Sequence, residues 1–181
     1  MAAGGAIGAM SEVHPVNVVV NGELYERSVG SRMLLADFLR QTLGLTGTHL
    51  GCEHGVCGAC TILLNGDSVR SCLLLAVQAD GCEVRTVESL GTPDRLGVVQ
   101  QAFRDHHALQ CGFCTPGMLM TCTDILQKYS LETDDEIRHA LSGNLCRCTG
   151  YVHIVAAVRA ARDRIRGAGS ASLKQDCDAN D

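Results

Sequence analysis

The chain has 181 residues, 46% of them hydrophobic and 19% charged, enough for one sizeable core or two small ones. A formal net charge of -5 and an aromatic content of 3% supply neither the basic footprint nor the stacking platforms of a nucleic-acid binder. No apolar run approaches the roughly 20 residues that span a bilayer. The opening "MAAGGAIGAMSEVHPV" has neither a basic n-region nor a twin arginine, which predicts a flexible leader over residues 1–14 and a cytoplasmic location.

In chain order, "VNVVVNGELYERSV" (Val16 to Val29) reads as two β-prone runs joined by Asn21-Gly22, the dipeptide of a type I′ turn. "SRMLLADFLRQTLG" places Leu34, Leu35, Phe38, Leu39 and Leu43 on one helical face and stops at Gly44. "CTILLNGDSVRSC" (Cys60 to Cys72) repeats the hairpin device at Asn65-Gly66, and "CEVRTVESL" from Cys82 adds a strand. Hairpin, helix, hairpin and closing strand predict a small α+β domain with a mixed sheet over residues 15–91.

Beyond "GTPDR" the period becomes helical. Leu96, Val99 and Phe103 mark one helix from Asp94; Thr115 is the candidate N-cap, with Pro116 at N1, of a second whose face carries Leu119, Cys122, Leu126 and Tyr129. The capping box Thr133-x-x-Glu136 opens a third that ends near Gly143, and Ile154, Val158, Ala161 and Ile165 stripe a fourth. These predict a four-helix domain over residues 92–166, then a small, polar, flexible tail, 167–181.

Eleven cysteines, an odd number without an export signal, point to metal ligation more than to a disulfide framework. Cys52, Cys57, Cys60 and Cys72 follow C-x4-C-x2-C-x11-C, whose first spacings are those of a plant-type [2Fe-2S] site. Gly51, Gly55 and Gly58 allow positive φ and close backbone approach, so that amides can point at the sulfurs. Zinc prefers paired C-x2-C knuckles, which this spacing lacks.

Cys111 and Cys114, then Cys146 and Cys148, form C-x2-C followed by C-x-C, a set that by ligand chemistry alone suits zinc or an iron–sulfur cluster. Both pairs precede predicted helix starts, where unpaired amides and the dipole favour an anionic group, and this favours a second cluster. "CGFCTPGM" and "CRCTGYVH" make a faint internal repeat that would bring those starts together. Cys82 and Cys122 read as core filler, and Cys177 as a tail residue of no specific role. His49, His54, His106 and His107 read as solvated or core histidines, with no nucleophile spaced for a triad.

"TGTHLGCEHGVCGACTILLNG" (Thr46 to Gly66), "QCGFCTPGML" (Gln110 to Leu119) and "SGNLCRCTGYVHIV" (Ser142 to Val155) resemble the signatures of the small iron–sulfur subunit of molybdenum hydroxylases, the xanthine dehydrogenase and aldehyde oxidoreductase family. The resemblance implies a ferredoxin-like β-grasp domain followed by a four-helix domain, each with one [2Fe-2S] cluster. It implies two partners, a large subunit with a molybdopterin-bound molybdenum centre and a medium FAD subunit, in a heterotrimer or a dimer of heterotrimers. Cys111, Cys114, Cys146 and Cys148 would then hold the cluster near molybdenum, and Cys52, Cys57, Cys60 and Cys72 the one near the flavin. Gln110 matches the glutamine that hydrogen-bonds the pterin, Cys148 the ligand close to the pterin amino group, and the turn at Glu53, His54, Gly55 and Val56 would face the flavin partner. Arg147, between two ligands, would temper the cluster's charge or face a partner. The alternative is a stand-alone ferredoxin-type electron carrier, for which the first motif alone would suffice.

Overall fold

The computed structural model describes residues 12–175, with side chains through residue 168. Two hairpins build most of the sheet: β1 (Val13–Val20) pairs antiparallel with β2 (Glu23–Gly30), and β3 (Thr61–Leu64) with β4 (Asp67–Arg70). Both turns have the positive φ pair of type I′ geometry, 53° and 86° at Asn21-Gly22 and 51° and 90° at Asn65-Gly66. β5 (Glu83–Arg85) runs parallel to β1 and antiparallel to β3, giving a five-stranded mixed sheet of order β2-β1-β5-β3-β4. β1 begins inside the segment predicted as leader; residues 1–11 lie outside the described residues.

Alternation along β1 turns Val16, Val18 and Val20 to one buried face. Against it lie Leu35 of α1 (Leu35–Asp37) and Phe38 and Leu39 of the π-helical turn that continues it, Phe38–Thr42. The strand predicted from Cys82 is shorter than expected. After Arg85 the Asn21 side chain takes over Thr86, accepting from its N–H at 2.8 Å and donating to its hydroxyl at 2.8 Å, and the chain bends into a 3-10 turn, Val87–Leu90.

The second half contains α2 (Val98–Asp105), α3 (Thr115–Lys128), α4 (Asp134–Ala140) and α5 (Val152–Gln175). Their core gathers Phe103, Met118, Ile137, Leu141, Ile154 and Val158. α2 starts later than the sequence suggests, because Thr92 and Arg95 exchange backbone hydrogen bonds of 3.0 and 3.1 Å in a closed turn. At α4 the capping box forms as predicted: Thr133 Oγ1 accepts from the Glu136 amide at 3.2 Å, and Glu136 Oε2 accepts from the Thr133 amide at 2.9 Å.

The helices differ from the sequence expectations in several places. Cys114, not Thr115, caps α3, and the single apolar stripe undercounts its burial. Met118, Met120 and Thr121 are buried along with Leu119, Cys122 and Ile125, because α3 touches both the β3–β4 hairpin and α2. Tyr129, one residue past the helix, is exposed, and so is Ile165, on the surface where Arg164 and Arg166 pair with Asp105 and Glu132. α5 continues beyond Arg166 to Gln175 in a stretch that holds no proline, so helix replaces the first part of the predicted tail; Cys177 lies outside the described residues. Among the described residues no helix is long and apolar enough to cross a membrane.

The two halves meet where α3 crosses the first cysteine loop. A Cβ on Gly117 would stand 2.2 Å from the Gly58 carbonyl oxygen and 2.8 Å from that of Ala59, so only glycine permits this approach. Gly117→Ala must therefore push α3 off the loop, an overpacking that costs about 1–3 kcal/mol. A lowered thermal midpoint together with reduced iron loading at the first cysteine set is the expected outcome, read by calorimetry and metal analysis.

Candidate metal centres

The first thiol set is assembled by a hairpin and a loop. Register Thr61↔Arg70 brings the residues just beyond the strand ends together, and the Ser71 amide and hydroxyl both donate to the Cys60 carbonyl, at 3.3 and 2.8 Å. Cys60 and Cys72 are thereby neighbours, both buried. The x11 interval is thus set by the length of a hairpin with a two-residue turn. Facing them, the loop carries the half-buried Cys52 and Cys57.

Positive φ at Glu53 (55°), Gly55 (83°) and Gly58 (72°) turns the amides of this loop inward. The Cys57 amide donates to Cys52 Sγ at 3.3 Å. Together with the amides of His54 and Val56 it holds the Cys52 thiol down at about 6. Burial, with the Cys60 thiol beside it, pushes Cys72 up to about 11 against the Gly55 amide. Gly51 serves through space and not φ: a Cβ there would stand 3.2 Å from both Cys57 Sγ and the Phe113 ring.

Of the second set, Cys111 and Cys114 lie at the start of α3, and Cys146 and Cys148 in the loop that leads into α5. Cys114 caps α3, and Cys148 Sγ lies 3.5 Å from Cys111 Sγ. Cys111 and Cys148 are exposed, whereas Cys114 and Cys146 are half-buried. The Phe113 amide lowers the Cys111 thiol, while hydrogen bonding to Cys111 raises Cys148. Burial and then the Cys146 thiol push Cys114 up to about 12. Burial works to raise Cys146 too, but the Thr149 hydroxyl, donating to its sulfur at 3.2 Å, leaves it lowered. Gln110 is exposed next to Cys111, and Arg147 is exposed between Cys146 and Cys148.

In both sets the thiols meet two by two: Cys52 with Cys57, Cys60 with Cys72, Cys111 with Cys148 and Cys114 with Cys146. Among the described residues no group of three His, Cys, Asp or Glu side chains is placed to hold a single metal ion. Two pairs per site, ringed by inward amides, fit the donor set of two irons with two thiolates each.

A buried polar network joins the two centres. The Leu145 amide, next to Cys146, donates to the Cys57 carbonyl at 2.9 Å. The buried Asn144 donates from Nδ2 to the Gly58 carbonyl at 3.1 Å and accepts at Oδ1 from Thr121 Oγ1 at 2.9 Å and Arg70 Nη2 at 3.3 Å. Arg70 also reaches the Gly143 carbonyl and Thr61 Oγ1, both at 2.6 Å. His49 makes a second bridge. Its Nδ1–H donates to the Phe113 carbonyl at 2.8 Å, and its ring stacks on Phe113 with centroids 5.2 Å apart.

The bridging bonds have no signature in the sequence, because most of the partners lie far apart along the chain. His49 is half-buried in this bridge, neither solvated nor in the core. His54 is exposed and hydrogen-bonds the Cys52 carbonyl, His106 is half-buried and His107 exposed. Cys122 is core filler as expected, and burial raises its thiol. Cys82 is not: it sits half-buried at the turn before β5, within reach of the Gln78 and Asp80 carbonyls.

The fold and its paired thiols define a protein with two [2Fe-2S] binding domains. Residues 18–87 match the family described as "2Fe-2S iron-sulfur cluster binding domain", and residues 86–159 the "[2Fe-2S] binding domain". The chain is 58% identical over 149 residues to the caffeine dehydrogenase subunit gamma of Pseudomonas sp. (strain CBB1), covering 81% of this chain and 89% of that one. It is 55% identical over 150 residues to the nicotine 6-hydroxylase small subunit of Paenarthrobacter nicotinovorans, covering 83% and 90%. The crystal structure of quinoline 2-oxidoreductase from Pseudomonas putida 86 superposes with a TM-score of 0.82 at 51% identity, over 86% of this chain and 98% of that one. The chain belongs to the family of small iron–sulfur subunits of molybdenum hydroxylases, and so to an oxidoreductase.

Asn144→Ala removes the carboxamide that joins both loops and leaves the buried Thr121 hydroxyl without its acceptor, at about 1–3 kcal/mol. Its thermal midpoint should fall, with both clusters lost in the same transition when absorbance is followed on heating. Loss of one cluster well before the other would show that the halves are not coupled through this residue.

Proposed function

We propose that this chain relays electrons between two active sites on partner subunits. Residues 15–91 act as a ferredoxin-like β-grasp unit and residues 92–166 as a four-helix unit, each carrying one cluster. Cys52, Cys57, Cys60 and Cys72 hold one, and Cys111, Cys114, Cys146 and Cys148 the other. A bound [2Fe-2S] cluster supplies the capacity to take up and pass on single electrons. The protein orients its ligands, shields one thiol pair of the first set from water and connects the two sets.

The observation that carries this reading is the 2.9 Å hydrogen bond from the Leu145 amide to the Cys57 carbonyl. Cys146 and Leu145 share a peptide bond, so a path from a ligand of one set to a ligand of the other crosses a single hydrogen bond. A carrier shuttling one electron between diffusing partners has no need of such a junction. The exposed pair Cys111 and Cys148, with Gln110 beside them, suits the side facing a large molybdopterin subunit. The exposed Glu53, His54 and Val56 suit the side facing a medium FAD subunit. The assembly is a heterotrimer or a dimer of heterotrimers, and its location cytoplasmic. Substrate choice belongs to the large partner. Caffeine, nicotine and quinoline, for which relatives are named, are the compounds to try first.

The complex purified with its partners tests the relay. In Cys57→Ser, which disables the first set, substrate should still reduce the second cluster while flavin reduction falls by orders of magnitude in stopped-flow absorbance. Flavin reduction at the native rate would mean that electrons bypass the first cluster.

A further inference from the structure

Within the loop 144–151 the Thr149 side chain is placed by three constraints. It is buried, so water does not compete for its hydroxyl. Its oxygen accepts from the Tyr151 amide at 3.2 Å, an amide aimed there because Tyr151 has φ of +66°. With a lone pair engaged, the hydroxyl hydrogen is directed at Cys146 Sγ, 3.2 Å away. The Tyr151 phenol then locks the loop from its other end, accepting from the Cys146 amide at 2.9 Å and donating to the Asn144 carbonyl at 2.9 Å.

Among the described residues no other side-chain hydroxyl donates to any of the eight sulfurs. The first set receives backbone amides, whereas Cys146 receives the Thr149 hydroxyl in addition to the amides of Cys148 and Thr149. A hydrogen bond to a ligand sulfur stabilises the more negative, reduced cluster and raises its potential. Arg147 lies close in sequence but is exposed, where solvent and salt screen its charge.

We infer that Thr149 is a positioning residue that sets the reduction potential of the cluster held by the second set, making it easier to reduce through its hydrogen bond to Cys146. The inference rests on the assignment of Cys146 as a ligand. Iron content tests that assignment separately, since Cys146→Ala should lose the second cluster and keep the first.

The test is a redox titration of the full chain with both clusters loaded, followed by EPR and visible absorbance. Thr149→Val keeps the shape and removes the donor; Thr149→Ser keeps the donor. The expected result is a downward shift of one midpoint potential in T149V, restoration in T149S, and no movement of the other cluster in either. An unchanged midpoint in T149V, or an equal shift of both clusters, overturns the inference. Should T149V fail to retain its iron, Thr149→Ala, which adds no bulk, is titrated in its place, and an unchanged midpoint there is equally fatal.

Discussion

The carboxamide of Asn144 is the point at which both halves of the chain are tied together. It is buried, its donor and acceptor ends face opposite elements, and its neighbours Gly143 and Leu145 carry further bonds to Arg70 and Cys57. Neutral hydrogen bonds of this kind each contribute only about 0.5–1.5 kcal/mol net. Their weight comes from place: they fix the distance between two metal-binding loops that share no sheet or helix. Gly58 and Gly117 extend the constraint, since backbones without Cβ atoms let α3 rest directly on the first loop. A relay needs a fixed separation between its stations, and here the separation is a property of packed main chain.

The two centres differ in how they meet water. In the first, Cys60 and Cys72 are buried and Cys52 and Cys57 half-buried; in the second, Cys114 and Cys146 are half-buried and Cys111 and Cys148 exposed. Each centre therefore has a pair that the fold shields more and a pair that it shields less. Exposed apolar side chains flank the less shielded pairs, Val56 beside Cys57 and Phe113 between Cys111 and Cys114. Covering such residues with a partner removes apolar area from water and also lowers the dielectric around the cluster.

What could be read from the sequence follows from how local each feature is. The Asn-Gly turns and the capping box at Thr133 and Glu136 depend on residues a few positions apart, and each appears where expected. The double-sided burial of α3 was hidden because its polar-looking face, including Thr121, packs on the hairpin and on Asn144 and not on solvent. The bonds from Asn144 to Gly58 and from His49 to Phe113 span 86 and 64 residues and have no periodic signature. Thr149 carries no sequence signal of its own, and its distances to Cys146 and Tyr151 show what its hydroxyl does.

The β3–β4 hairpin has a further consequence. Because Cys60 and Cys72 meet only through the register Thr61↔Arg70, the segment between them works as a ruler, measured in residues and not in chemistry. Its exposed positions Asn65 and Asp67 anchor the turn, Asn65 Oδ1 accepting from the Glu83 amide at 2.8 Å and Asp67 pairing with Lys128 of α3. Insertion of one residue would slip the register and turn the side chains that follow to the opposite face of the sheet. The length of this ribbon thus decides whether the two cysteines meet, separately from the contacts that Thr61 and Arg70 make to the second half.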